Sequence, residues 1–289
     1  MVALTIGLAV LVGVTLGLLG GGGSILTVPL LAYVAGLDAK HAIATSLLVV
    51  SVTSAVGAVA HARAGRVQWR TGLVFGLAGM AGAYAGGVLS RSIPGTALLI
   101  GFAVIMIATA AAMLRGRKEV GGEPPRSLPV LKMLMQGLAV GLVTGLVGAG
   151  GGFLVVPALA LLGGLPMPIA IGTALVVIAM NSLAGLAGYL SAVHIDWRLA
   201  AAVTAAALIG GLVGARLTAF VNPAALRKAF GWFVLAMASV ILGEEVHPVF
   251  GIAAAGLTAV AAGMTFMCIR YAHCPLRRVA SRYRVAAAA

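Results

Sequence analysis

Gly20-Gly-Gly-Gly-Ser-Ile-Leu-Thr-Val-Pro29 returns 128 positions later as Gly148-Ala-Gly-Gly-Gly-Phe-Leu-Val-Val-Pro157. The register holds without a gap from residue 20 to residue 70. Ala42-Ile-Ala-Thr45 is matched by Ala170-Ile-Gly-Thr173, and Trp69-Arg70 by Trp197-Arg198. Each copy is an apolar stretch interrupted by a glycine cluster and then a proline. Glycine frees the backbone to turn and proline lacks the amide a helix interior needs, so each copy predicts a helix that breaks and restarts. Repeated hydrophobic segments with paired Gly/Pro interruptions point to a membrane transporter that holds its substrate at the breaks.

The composition agrees. Hydrophobic residues make up 62% of the chain and charged residues 9%, against about 45–50% and 25% in soluble domains. Mean hydropathy is +1.14. Nine apolar segments are legible, at roughly 3–35, 42–60, 71–90, 96–114, 133–162, 168–190, 199–220, 229–243 and 248–269. Most have the roughly 17–25 residues that cross a bilayer. With no water to serve the backbone, such segments must be helices, and no alternating strand pattern supports a barrel. The fold class expected is therefore an all-α polytopic membrane protein. The first segment carries no basic leader and runs past any cleavage site, so it does not read as a signal peptide.

The net charge of +13 sits in short gaps between apolar segments. That is the signature of cytoplasmic loops and anionic lipid, not of a nucleic-acid surface. Cys268 and Cys274 form neither a disulfide framework nor a metal set with His273. No cofactor, metal or hydrolytic centre is implied, and the chain does not read as an enzyme.

Basic residues also decide the topology. If all nine segments crossed fully, nine basic residues would fall on each side of the membrane, with no bias at all. If segments one and five are re-entrant hairpins, only Lys40, Arg91 and Arg198 remain on the minority side. Only this second arrangement obeys the positive-inside rule. The loop Arg63–Arg70 is strongly basic and its counterpart Ser191–Arg198 nearly neutral, which suggests copies mounted upside down to each other. The expectation is two inverted repeats, each a Gly-broken re-entrant segment plus three transmembrane helices. Residues 1–114 form the first repeat, 115–132 a cytoplasmic linker and 133–245 the second repeat. Residues 246–289 add a further helix and a basic cytoplasmic tail. The N-terminus would lie outside a cytoplasmic (inner) membrane and the C-terminus within the cell.

Candidate binding residues follow from the breaks. Gly20, Gly21, Gly22, Gly23 and Ser24 form the first, and Gly148, Gly150, Gly151 and Gly152 the second. A helix restarting there presents free amides and a positive dipole end, which suits an anion. In inverted repeats two such ends can meet in mid-bilayer. Thr45, Ser46, Thr173 and Asn181 supply hydroxyls and an amide inside the apolar segments, donors that add no permanent charge. Asn181 and Ser182 stand opposite Thr53 and Ser54 in the repeat. All six acidic residues fall at segment ends or in loops, so no intramembrane cation site is evident. Gly82-xxx-Gly86 and Gly210-xxx-Gly214 read instead as close helix packing.

These motifs resemble the TauE/SafE sulfite exporter family, also called the toluene-sulfonate uptake permease family. The resemblance rests on the two glycine motifs, on Ala42-Ile-Ala-Thr-Ser46, on the Trp69-Arg70 loop and on their second copies. It covers most of residues 1–245 and implies a seven- or eight-helix protein moving sulfite, sulfonates or related organosulfur anions, with export favoured. The segment 248–269 departs from an eight-segment pattern. A small anion and the bilayer are the implied partners, with the protein monomeric or homodimeric. A passive channel or a non-transporting membrane subunit are the alternatives.

The topology has a direct test. In a chain with Cys268 and Cys274 replaced by serine, Arg66→Cys should react with a membrane-impermeant thiol reagent only from the cytoplasmic side. His194→Cys should react only from the outside. Labelling of both from one side would rule out the hairpins.

Overall fold

The computed structural model describes residues 2–19, 25–115, 130–148, 151–159, 165–190, 193–217, 223–245 and 256. Its helices are α1 (Val2–Leu19), α2 (Thr27–Pro29, continued by a π turn over Leu30–Val34), α3 (Ala39–Arg63), α4 (Trp69–Leu89) and α5 (Gly95–Arg115). Then follow α6 (Val130–Val147), α7 (Gly152–Pro157), α8 (Met167–Tyr189), α9 (Trp197–Leu217) and α10 (Pro223–Glu245). Among the described residues no strand occurs, and five helices are long and apolar enough to cross a membrane. They are α3, α4, α6, α8 and α9, while α1 and α5 contain shorter apolar cores.

Helix ends explain where the acids went. Asp38 accepts from the Lys40 amide at 3.2 Å to cap α3, and Asp196 accepts from the Arg198 and Leu199 amides at 2.9 and 3.2 Å to cap α9. Trp69 and Trp197 open α4 and α9 and are exposed, as interfacial anchors are. Arg216 is exposed in the last turn of α9, within snorkelling reach of water. The ninth apolar segment lies outside the described residues save for Gly256, which is helical. Helix α6 begins at Val130 and includes Lys132.

The packing is set by glycine. A Cβ on Gly82 would overlap the Leu138 carbonyl of α6, and one on Gly210 would overlap the Val10 carbonyl of α1. Gly141 meets the Gly79 carbonyl, and Gly13 meets the Ala207 carbonyl. Each contact of α4 with α6 thus has a counterpart of α9 with α1, shifted by 128 residues. Both pairs run parallel, backbone against backbone, as small-residue stripes allow in lipid.

The central pair, α3 and α8, runs antiparallel. Gly57 lies against Leu175 Cδ1 and Gly185 against Leu47 Cδ1, with Cβ positions 3.3 and 3.4 Å from those methyls. Residues 47 and 175 are equivalent in the repeat, as are 57 and 185. The crossing therefore centres near residues 52 and 180. These are also the most enclosed of the five spans, 61% and 67% buried over their most apolar windows.

The described part of the second glycine cluster lies away from the α3–α8 crossing. Helix α6 runs unbroken for 18 residues, about 27 Å, before Gly148 turns with φ 72°. Gly148 then abuts Ile43 near the start of α3. Nine residues separate Ile43 from the crossing centre, about 13 Å along the helix. The break stands near one end of the bundle. Helix α1 likewise continues to Leu19, where Gly17 meets Gly211 and Ala215 near the opposite end of α9.

Replacing Gly141 by leucine should prevent the α4–α6 approach and cost more than about 2 kcal/mol. The expected readout is a lowered Tm and loss of a monodisperse detergent peak. Gly101→Leu, where a Cβ meets nothing within 4 Å, should leave both unchanged.

Candidate functional site

Thirteen serine, threonine and asparagine side chains are buried among the described residues, and none of them is ionisable. Five are used up locally. Ser51, Thr109, Thr144 and Ser239 donate to carbonyls one turn back on their own helices, as does Ser90 to Gly87 O at 2.7 Å. Thr53, less buried, does the same to Val49 O at 2.8 Å.

A second set has no partner. Thr27 Oγ1, Ser46 Oγ, Ser54 Oγ, His61 Nδ1, Ser182 Oγ and both amide atoms of Asn181 are buried and unbonded. Each such atom costs about 1–3 kcal/mol, so their retention in an apolar bundle needs a reason. Five of the six residues lie on the central helix pair, His61 in the last turn of α3. Ser54 and Ser182 are equivalent in the repeat, each about two residues, or ~3 Å, from the crossing centre. Asn181 is level with that centre. Ser46 sits one further turn along α3 from the level of Ser182, about 6 Å by helix rise. Ranked by height along the two helices they form a central track, with the Asn181 amide turned towards Gly79 of α4.

Asn181 is held from the side of α4. A methyl group on Gly79 would lie 2.5 Å from its Oδ1 and 2.7 Å from its Nδ2. The notch at Gly79 is therefore shaped to this amide.

The other candidates fall elsewhere. Thr173 Oγ1 accepts from the Gln68 amide at 2.9 Å and so closes the loop before α4. Thr45 is buried two residues from Ile43, at the end where Gly148 packs. Gly151, with φ 70°, lies against the Thr144 hydroxyl and its carbonyl receives the Leu154 and Val155 amides at 2.9 and 2.7 Å. Gly152 opens α7, a helix of six residues. Gly20, Gly21, Gly22, Gly23, Ser24 and Gly150 lie outside the described residues. Of the candidates, then, Ser46 and Asn181 share the central track while Thr173 and Gly148 stand towards opposite ends. Ser54 and Ser182 join that track, while Thr27 is unpartnered on α2. Ser54 and Ser182 had a sequence signal, a hydroxyl conserved between the two copies at 128 residues' spacing.

An open cavity of about 330 Å³ lies apart from the track, lined by Tyr33, Asp38, Thr96, Leu99 and Glu245. Two carboxylates make it a poor place for an anion. Tyr33 donates there to Glu245 at 3.3 Å and ties the first return segment to the end of α10. At the same end Lys40 Nζ donates to Arg91 O at 3.0 Å, and Arg91 donates through Nε and a terminal nitrogen to Gly188 O at 3.2 and 2.8 Å.

Among the described residues no group of three or more His, Cys, Asp or Glu gathers as a metal site would require.

Comparison with known proteins adds the family. The family described as sulfite exporter TauE/SafE matches residues 5–241. A protein of Xylella fastidiosa strain 9a5c named a probable membrane transporter protein is 38% identical over 245 residues, covering 82% of this chain and 94% of that one. The Bacillus subtilis probable membrane transporter protein YunE is 27% identical, covering 73% and 86%. A Methanocaldococcus jannaschii probable membrane transporter protein, MJ0441, is 28% identical, covering 64% and 72%. No solved structure matches the chain at a significant level.

If the central groups exist for a ligand, Asn181→Leu should remove transport at least about 100-fold without lowering Tm. Replacing an unpartnered buried amide by an apolar group of similar shape is neutral or stabilising. A Tm loss of several degrees in detergent would mark Asn181 as a structural residue.

Proposed function

The chain belongs to the TauE/SafE family of multi-pass membrane transporters, and from that premise we propose a secondary transporter of small sulfur oxyanions that binds its substrate at the α3–α8 crossing. The observation that carries the proposal is the uncharged, unpartnered set of Ser46, Ser54, Asn181 and Ser182. Hydroxyl and amide donors stabilise an anion without a fixed charge that would trap it. The sulfur chemistry and the outward direction rest on the family's description alone.

Two inverted repeats are the mechanism this proposal needs. The antiparallel α3–α8 contacts between equivalent residues, and the crosswise pairing of α1 with α9 and α4 with α6, support it. An axis in the membrane plane turns one half into the other, and rocking of the halves exposes a central site to each side in turn. On this reading the anion's cradle is the α3–α8 crossing and not the glycine breaks.

Orientation follows the same logic. Asp38, Lys40, Arg91 and Glu245 cluster at one end, while Arg63 and Arg66 close the other beside Gln68 and Gly172. Under the positive-inside rule the second end faces the cytoplasm of a cell-membrane protein. The N-terminus would be outside and the C-terminus inside.

Purified protein in liposomes should exchange labelled sulfite with saturable kinetics, stimulated by unlabelled sulfite on the far side. Flux that rises linearly with concentration and shows no such stimulation would mean a channel. Absence of flux would refute the transport of this anion class.

A further inference from the structure

Asn181 differs in kind from its neighbours on the central track. A serine hydroxyl rotates to donate or accept as its ligand requires, but a carboxamide presents both functions at once and side by side. Nδ2 can only donate and Oδ1 can only accept. Both atoms are buried without a partner, so the point holds whichever way the amide is turned.

A fully deprotonated oxyanion would satisfy Nδ2 and leave Oδ1 facing a lone pair. A ligand with an O–H beside a bare oxygen satisfies both, in the paired arrangement by which an amide meets an acid. Charge argues the same way. Among the described residues no buried side chain carries a charge, and stripping water from a dianion with no cation beside it costs far more than from a monoanion.

We infer that Asn181 selects the singly protonated form of a weak oxyacid, a monoanion of the type HO–XO2−, so that each substrate carries a proton across with it. The inference rests on the proposed site at the α3–α8 crossing and adds the charge state of what binds there. The first half does not duplicate the device. Its equivalent residue, Thr53, gives its hydroxyl to Val49 O at 2.8 Å.

Among the described residues no titratable group of the helices packed around Asn181 stands level with it. The titratable residues of α3 are Lys40, His41, His61 and Arg63, all towards its ends. Helix α4 offers Arg70 in its first turn and exposed Tyr84, and α6 offers Lys132 in its first turn. On α8 itself Tyr189 stands at the last position and donates to Leu146 O at 2.9 Å.

The test is zero-trans flux of labelled sulfite and methanesulfinate into liposomes holding the full-length protein. Methanesulfinate, CH3–SO2−, has the charge and pyramidal shape of the sulfite monoanion but a methyl group in place of the O–H. At equal total sulfite, flux should fall about ten-fold for each pH unit above the second ionisation of sulfite. Methanesulfinate should move at least about 100-fold more slowly than sulfite at acidic pH, because a site built to bond a hydroxyl rejects the analogue lacking it. Asn181→Ser, whose hydroxyl can turn to donate, should narrow that gap to within about ten-fold. Equal flux of the two anions, or sulfite flux independent of pH, would overturn the inference while leaving the transporter reading intact. No flux of either anion at any pH would overturn both.

Discussion

Backbone contact between glycine-bearing helices is the constraint on which everything else here depends. Lipid offers no hydrophobic drive between helices, so α1 with α9 and α4 with α6 must associate by van der Waals approach alone. The Cβ-free stripes at Gly13 and Gly17, at Gly82 and Gly86, at Gly141 and Gly145, and at Gly210 and Gly214 make that approach possible. These two pairs brace the antiparallel α3–α8 pair between them. Once braced, that pair can hold polar atoms without partners that a looser bundle would surrender to water or to its own backbone.

The same packing divides labour between ends and centre. Charged and capping groups lie at helix termini, where Asp38 and Asp196 close α3 and α9. Several hydroxyls that would weaken the interior are turned onto their own helices. What remains at the crossing is a neutral set that offers hydrogen bonds and nothing stronger. A neutral set suits a transporter, which must release its substrate as readily as it takes it.

Much of this was legible in residue order. The repeat at 128 positions anticipates equivalent helix spans, since α1 and α6, α4 and α9, and α3 and α8 begin at positions related by that offset. The apolar segments fall where the helices do because the length of a bilayer crossing constrains both. The position of the breaks was not legible. Gly148 and its neighbours mark where the chain turns but not how far α6 has travelled, and helix rise over 18 residues carries the turn to the end of the bundle. Residue roles were legible only in part. Thr173 and Thr45 share a position in the repeat, yet the loop at Gln68 claims the Thr173 hydroxyl, a tertiary contact across 105 residues that no local pattern announces. Asn181 was visible as a rare amide in an apolar run, but its fit to Gly79 depends on the parallel register of α4 and α8.

The central claim places the ligand between α3 and α8, not at the glycine breaks. Selenite is a weak oxyacid anion of the right form and carries an anomalous scatterer. Crystals soaked in selenite should show their strongest selenium peak within hydrogen-bonding reach of Asn181 and Ser182. A peak beside Gly148–Gly152 instead, about 13 Å along the bundle, with none at Asn181, would contradict the account.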